Sequence, residues 1–141
     1  MSTTPFHIEQ FRNCIFVTLR GKWNMSTNIQ YLAHLSDCLK TRKGRPFHLF
    51  IDMRTWQVPQ SDTFNQIKAP IKLDRRNQLS ETWLEDDETD AEHIAQKFFK
   101  SSTVNLGFEL ERTQNIAEFI ANCEEKADKI VIDYVRTWIG S

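Results

Sequence analysis

The sequence predicts a single α/β domain whose elements run β-β-α-β-α-β-α-β-α. Three observations carry that reading. Two strand-like runs open the chain with only Arg12-Asn13 between them, which is hairpin spacing. The run Phe47-His48-Leu49-Phe50-Ile51-Asp52-Met53 is apolar at nearly every position, as a strand covered on both faces must be. Apolar residues then recur at helical spacing between the strand-like runs, the alternation that marks α/β architecture. At 141 residues the chain has an ordinary single-domain length and can bury roughly 70% of its unfolded surface.

Taken in order, Phe6 to Phe11 alternates and Cys14 to Leu19 is β-branched and apolar, giving the opening hairpin. Asn24 to Asn28 is rich in capping side chains, and Tyr31, Leu32, Leu35 and Leu39 form the apolar side of a first helix. Lys40-Thr41-Arg42-Lys43-Gly44-Arg45 closes it, with cations and a glycine that suit a solvated helix C-terminus. After the buried strand, a loop from Arg54 to Gln60 leads to a second helix beginning near Ser61 or Asp62, interrupted at Pro70. Leu79 to Leu84 reads as the next strand, Ala91 to Phe99 as the third helix and Val104 to Leu110 as the last strand. Thr113 is the expected N-cap of a final helix carrying Ile116, Phe119, Ile120, Cys123 and Ala127.

Composition narrows the classes of function. A net charge of −1 removes the global electrostatic case for nucleic-acid binding. Cys14, Cys38 and Cys123 are widely spaced and odd in number, as expected of reduced thiols in a cytoplasmic protein. Met1 to Pro5 has neither the basic nor the apolar part of a secretory signal, and no apolar run approaches the ~20 residues of a membrane span.

Motifs for catalysis or metal are missing from the sequence. His7, His34, His48 and His93 show no ligand spacing, and there is no nucleophile elbow or glycine-rich phosphate loop. The chain is therefore expected to be no enzyme and to carry no cofactor or metal. Glu81, Glu85, Asp86, Asp87, Glu88, Asp90 and Glu92 read as a solvated acidic turn leading into a helix, or as a docking patch for a basic partner.

The element order over Phe6 to Glu125 resembles the STAS domain and its SpoIIAA-like relatives, a single mixed sheet with its helices mostly on one face. Two passages carry the resemblance: the buried strand ending in Ile51-Asp52 followed by a loop and a helix start at Ser61, and the Asp86-Asp87-Glu88 turn followed by Phe108-Glu109-Leu110-Glu111 and Ile116-Ala117-Glu118-Phe119-Ile120. The resemblance implies a regulatory module that binds a protein partner. In anti-sigma-factor antagonists of this type a serine at that loop-to-helix junction is phosphorylated, and Ser61 is the position in register. Gln60-Ser61-Asp62-Thr63 departs from the Asp-Ser-Ser-Gly pattern, so Ser61 also reads as a plain helix cap, worth about 1 kcal/mol. Trp56, Ser61 and Asp62 form the candidate partner-binding or phospho-switch group. The fold class also resembles the CRAL-TRIO superfamily, which implies the alternative of a carrier for a lipid or small apolar ligand.

Beyond Glu125 the chain continues through Ile130, Val131, Ile132, Tyr134, Val135, Trp138 and Ile139, too apolar for a free tail; it reads as a continuation of the final helix with Ala127, Ile130, Tyr134 and Trp138 along one stripe, or as an added strand through Ile130-Val131-Ile132. Two readings fit this extension. It folds back to cover its own sheet, or it pairs with a second copy, with Ile130, Tyr134, Val135 and Trp138 as the interface of a homodimer.

Overall fold

The computed structural model describes residues 4–57, 77–90 and 110–140. Five strands form one mixed sheet: β1 (Phe6–Phe11), β2 (Cys14–Leu19), β3 (Phe47–Asp52), β4 (Gln78–Leu84) and β5 (Leu110–Thr113), in that spatial order. β1 runs antiparallel to β2, and β2 to β5 are mutually parallel. Three helices are described: α1 (Met25–Thr41), α2 (Ile116–Lys126) and α3 (Lys129–Gly140). None is long and apolar enough to cross a membrane.

Strand alternation divides the interior into two layers. Ile15, Val17, Leu19, Leu49, Ile51 and Trp83 point to one face and pack with Tyr31, Leu35 and Leu39 of α1. Cys14, Phe16, Phe50 and Leu84 point to the other and pack with α2 and α3. On that second face α2 brings Phe119 edge-on to Phe50, with ring centroids 6.1 Å apart, so it covers the β3 side. α3 brings Trp138 and Tyr134 onto Phe16, with centroids at 5.0 and 4.9 Å, so it covers the β2 side. The extension beyond Glu125 is thus the lid over half of this face. Trp138 is only 8% exposed and Val135 is fully buried within their own chain, and Ile130 stands outside the packed side. Val135 and Trp138 are therefore spent on the chain's own core, a correction to their place in an intermolecular surface.

Local signals explain the helix starts. Asn24 accepts from the Thr27 N–H at 2.9 Å and begins α1, as its capping chemistry predicts. Thr113 is no cap: it is the last residue of β5, and its hydroxyl donates to the Trp83 carbonyl at 2.7 Å. Asn115 caps α2 instead, accepting from the Glu118 N–H at 2.9 Å, and Glu118 reaches back to accept from the Gln114 N–H. The final helix is also two helices. Ala127 is extended, and the Asp128 carboxylate accepts from the Val131 N–H at 3.0 Å to start α3.

The basic run after α1 is only partly solvated. Arg42 is buried and donates to the Arg12 carbonyl at 3.1 Å and the Pro46 carbonyl at 2.9 Å, tying the β1–β2 turn to the entry of β3. The expected helix near Ser61, the helix from Ala91 and the strand from Val104 lie outside the described residues, except that Leu110 does begin β5. The three thiols are free, and burial pushes Cys14 and Cys123 up to about 12, which keeps them protonated and inert at neutral pH.

Candidate functional site

Polar groups gather where the parallel strands end, the side of an open α/β sheet on which ligands are generally met. Arg20 follows β2, Asp52 ends β3, and β4 runs into Glu85 and Asp86. Arg20 Nη1 donates to the carbonyls of Leu19, Asp52 and Arg54 at 2.9, 3.1 and 3.3 Å, closing the ends of two strands at once. Its Nη2 donates to Asp52 Oδ2 at 2.6 Å. Arg54 grips the same carboxylate two ways, Nε to Oδ1 at 2.9 Å and Nη2 to Oδ2 at 2.8 Å. Its Nη2 also donates to the Ile139 carbonyl at 3.0 Å, so the end of α3 is fastened to the central strand. Burial alone would raise the Asp52 carboxyl, but the hydrogen bonds and charges of Arg54 and Arg20 outweigh it and hold Asp52 below the usual carboxylate range.

Glu85 is buried and takes a bidentate grip from Arg112, both bonds at 2.8 Å, and the Arg112 guanidinium lies 5.6 Å from the Trp83 ring centroid. Glu81 is buried too, on the α1 face, accepting from Gln78 Nε2 at 3.0 Å and Trp83 Nε1 at 2.7 Å. The acidic stretch is therefore not one solvated turn. Glu81 and Glu85 are interior hydrogen-bond acceptors, and among the described acids of the stretch only Asp87, Glu88 and Asp90 are exposed. Asp86 accepts from the Thr55 N–H at 3.1 Å and the Glu88 N–H at 3.0 Å, with the Thr89 hydroxyl at 3.0 Å. Desolvation opposes the Asp86 charge, and these bonds more than offset it, so this carboxyl also lies low.

The loops above the strands are laced together. Trp23 N–H donates to the Gln57 carbonyl, Gln57 N–H to the Gly21 carbonyl and Asp90 N–H to the Trp56 carbonyl, extending the parallel pairing past the strand ends. Thr55, held by Asp86, has φ of 65°, a left-handed conformation that costs a β-branched residue about 1–2 kcal/mol. Thr55→Gly is accordingly expected to be at least as stable as the parent in thermal unfolding, and Thr55→Val to be less stable.

Of the residues singled out in the sequence, Trp56 is buried, packed edge-on against Trp23 with centroids 5.3 Å apart. It is a packing residue of this edge and not an exposed recognition side chain. Its Nε1 has no hydrogen-bond partner among the described residues. Ser61 and Asp62 lie outside the described residues. Glu85 stands out in the sequence only within the acidic docking patch, and Arg20, Asp52, Arg54 and Arg112 do not stand out as site residues, although an arginine just past one strand and an aspartate closing the next is a readable signal.

A second polar cluster sits on the α2 face. His48 Nδ1 and Ser80 Oγ are 2.7 Å apart, and nearby Lys126 Nζ donates to Asn122 at 2.6 Å and Glu111 at 3.0 Å. A serine beside a histidine invites a nucleophilic reading. The electrostatics run against it: burial lowers the His48 pKa first and the Lys126 charge lowers it further, whereas a general base must be stabilised as an imidazolium. No group of three or more His, Cys, Asp or Glu placed to hold a metal occurs among the described residues. Comparison with known proteins finds no family model that matches the chain and no significantly similar curated protein.

Proposed function

We propose that this chain is a non-enzymatic regulatory module of SpoIIAA-like type that binds a protein partner through the carboxyl edge of its parallel sheet. The observation that carries the reading is the fixed pairing along that edge. Arg20, Arg54 and Arg112 are 23%, 25% and 29% exposed, each locked onto a buried carboxylate. Groups held this way are poor proton-transfer catalysts, because an acid or base needs a pKa near the working pH. They are good recognition elements, because a rigid, pre-oriented polar surface loses little entropy when a partner docks. Phe16, Phe50 and Phe119 are fully buried against one another and their neighbours, which favours a filled core over a carrier cavity.

The test places a photo-reactive residue at Lys22 or Glu88, both exposed on the laced loops, or at Asp37 on the second half of α1. In cells, the two edge positions are expected to trap one shared protein that the Asp37 position does not. The double variant Lys22→Glu/Glu88→Lys, which leaves every buried pair intact, should abolish that adduct. Identical adducts from all three positions would remove the edge as the recognition surface. Stoichiometric lipid on the purified protein in native mass spectrometry would favour the carrier.

A further inference from the structure

β1 is an edge strand, and no described residue pairs with its outer side. The register settles which backbone groups face outward. The Arg20 N–H donates to the Pro5 carbonyl at 3.0 Å, one step beyond the pairing of Phe6 with Leu19. Bonded and non-bonded pairs alternate along an antiparallel ladder. His7, Glu9 and Phe11 therefore bond to β2, and the N–H and C=O of Phe6, Ile8 and Gln10 point away from it. Natural edges are usually blunted by lysine, proline or a bulge. Phe6-His7-Ile8-Glu9-Gln10-Phe11 has neither residue, and its register with β2 is unbroken.

We propose that this edge joins two copies of the chain, β1 pairing antiparallel with β1 of a second copy about a two-fold axis through Ile8. Only pairings that set outward residues against outward residues can bond, so the axis falls on a residue and not between two; axes on Phe6 or Gln10 form one bonded pair within β1, and His7, Ile8 and Glu9 remain. On His7 it sets histidine against histidine, and on Glu9 it sets carboxylate against carboxylate. On Ile8 it brings all three outward residues, Phe6, Ile8 and Gln10, into bonded pairs and sets each His7 against the partner's Glu9. That pair is of the non-hydrogen-bonded kind, where opposite side chains approach most closely. His7 and Glu9 already lie 3.4 Å apart within one chain, so the joined edges carry imidazole and carboxylate in alternation, each able to hydrogen-bond its neighbour.

The second face supports the same occupant. Tyr134 of α3 rests on Phe11 of β1, centroids 4.4 Å apart. Ile130 lies one turn earlier on the same stripe and is 51% exposed. The axis is perpendicular to the sheet, so the partner's α3 sits on the same face, with Tyr134 on the side that meets β1. One of the four residues assigned to an interface by sequence therefore flanks this edge.

Light scattering coupled to size exclusion tests the arrangement on the intact chain. The parent should run at twice the 16.6 kDa chain mass. His7→Glu alters a side chain that is 62% exposed, so the fold is spared while like charges meet across the axis. Dimer affinity should fall at least about tenfold. His7→Glu/Glu9→Lys reverses the pair and should restore much of it. Hydrogen exchange supplies a second readout: the Ile8 amide should be protected in the dimer and exposed in His7→Glu. A parent that stays single at every concentration, a dimer indifferent to His7→Glu, or an Ile8 amide that exchanges freely within the dimer would each overturn the proposal.

Discussion

A chain truncated after Glu125 is expected to lose its cooperative fold. Val131, Ile132, Val135, Trp138 and Ile139 are all buried, and each such side chain contributes roughly 1.5–3 kcal/mol on burial. Together that is on the order of 10 kcal/mol, comparable with the whole stability of a small domain. Truncation also bares Phe16 and removes the Ile139 carbonyl that Arg54 holds. The graded version is Trp138→Ala, which should cost about 3 kcal/mol by creating a cavity beside Phe16 and Phe119 and stranding the Thr18 hydroxyl. Urea denaturation followed by circular dichroism measures both. A truncated chain that unfolds cooperatively at the parent midpoint would show α3 to be an accessory.

Asp52→Asn should be nearly as damaging, at about 3 kcal/mol, because two arginines then face a neutral group that cannot accept all their bonds. The arginines keep about a quarter of their side-chain surface in water, which places the cost at the low end for a broken buried pair. The pH dependence follows from the direction of the shift. Asp52 has a folded pKa below its unfolded value, so its contribution is complete above the unfolded value of about 3.9 and is lost as pH falls through the lower, folded value. The parent should therefore lose stability on acidification through that window, and Asp52→Asn should show a flatter acid limb. Equal acid slopes in the two proteins would mean that the arginines do not stabilise the charge.

Much of this architecture was readable from residues. Alternation at Phe6 to Phe11, the apolar run at Phe47 to Asp52 and the cap at Asn24 are local signals, and they mark elements that are present. The reading failed where two local signals compete. Asp128 sits inside a helical pattern, and its capping of α3 outweighs continuation, so one expected helix becomes two. Thr113 and Asn115 both qualify as caps, and the bond from Thr113 to Trp83 on the neighbouring strand decides between them. The candidate edge was the least legible part. Arg20 and Asp52 stand 32 residues apart and Arg54 and Ile139 stand 85 apart, so only the parallel register brings them together. Burial of Glu81 and Glu85 was hidden for the same reason: acids grouped in sequence alternate between interior and surface once they lie on a strand and the turn after it.

The order of the chain has a consequence for biosynthesis. Every strand of the sheet precedes α3, so a nascent polypeptide can have its full sheet outside the ribosome while Phe16 and Cys14 are still wet. At about 5–20 residues per second that interval lasts on the order of a second. Closure of the α3 face must then wait for Trp138, and chaperone demand should peak just before it emerges. A pause in emergence between Lys126 and Ile139 would lengthen that exposure and lower the yield of intact protein without altering a single residue.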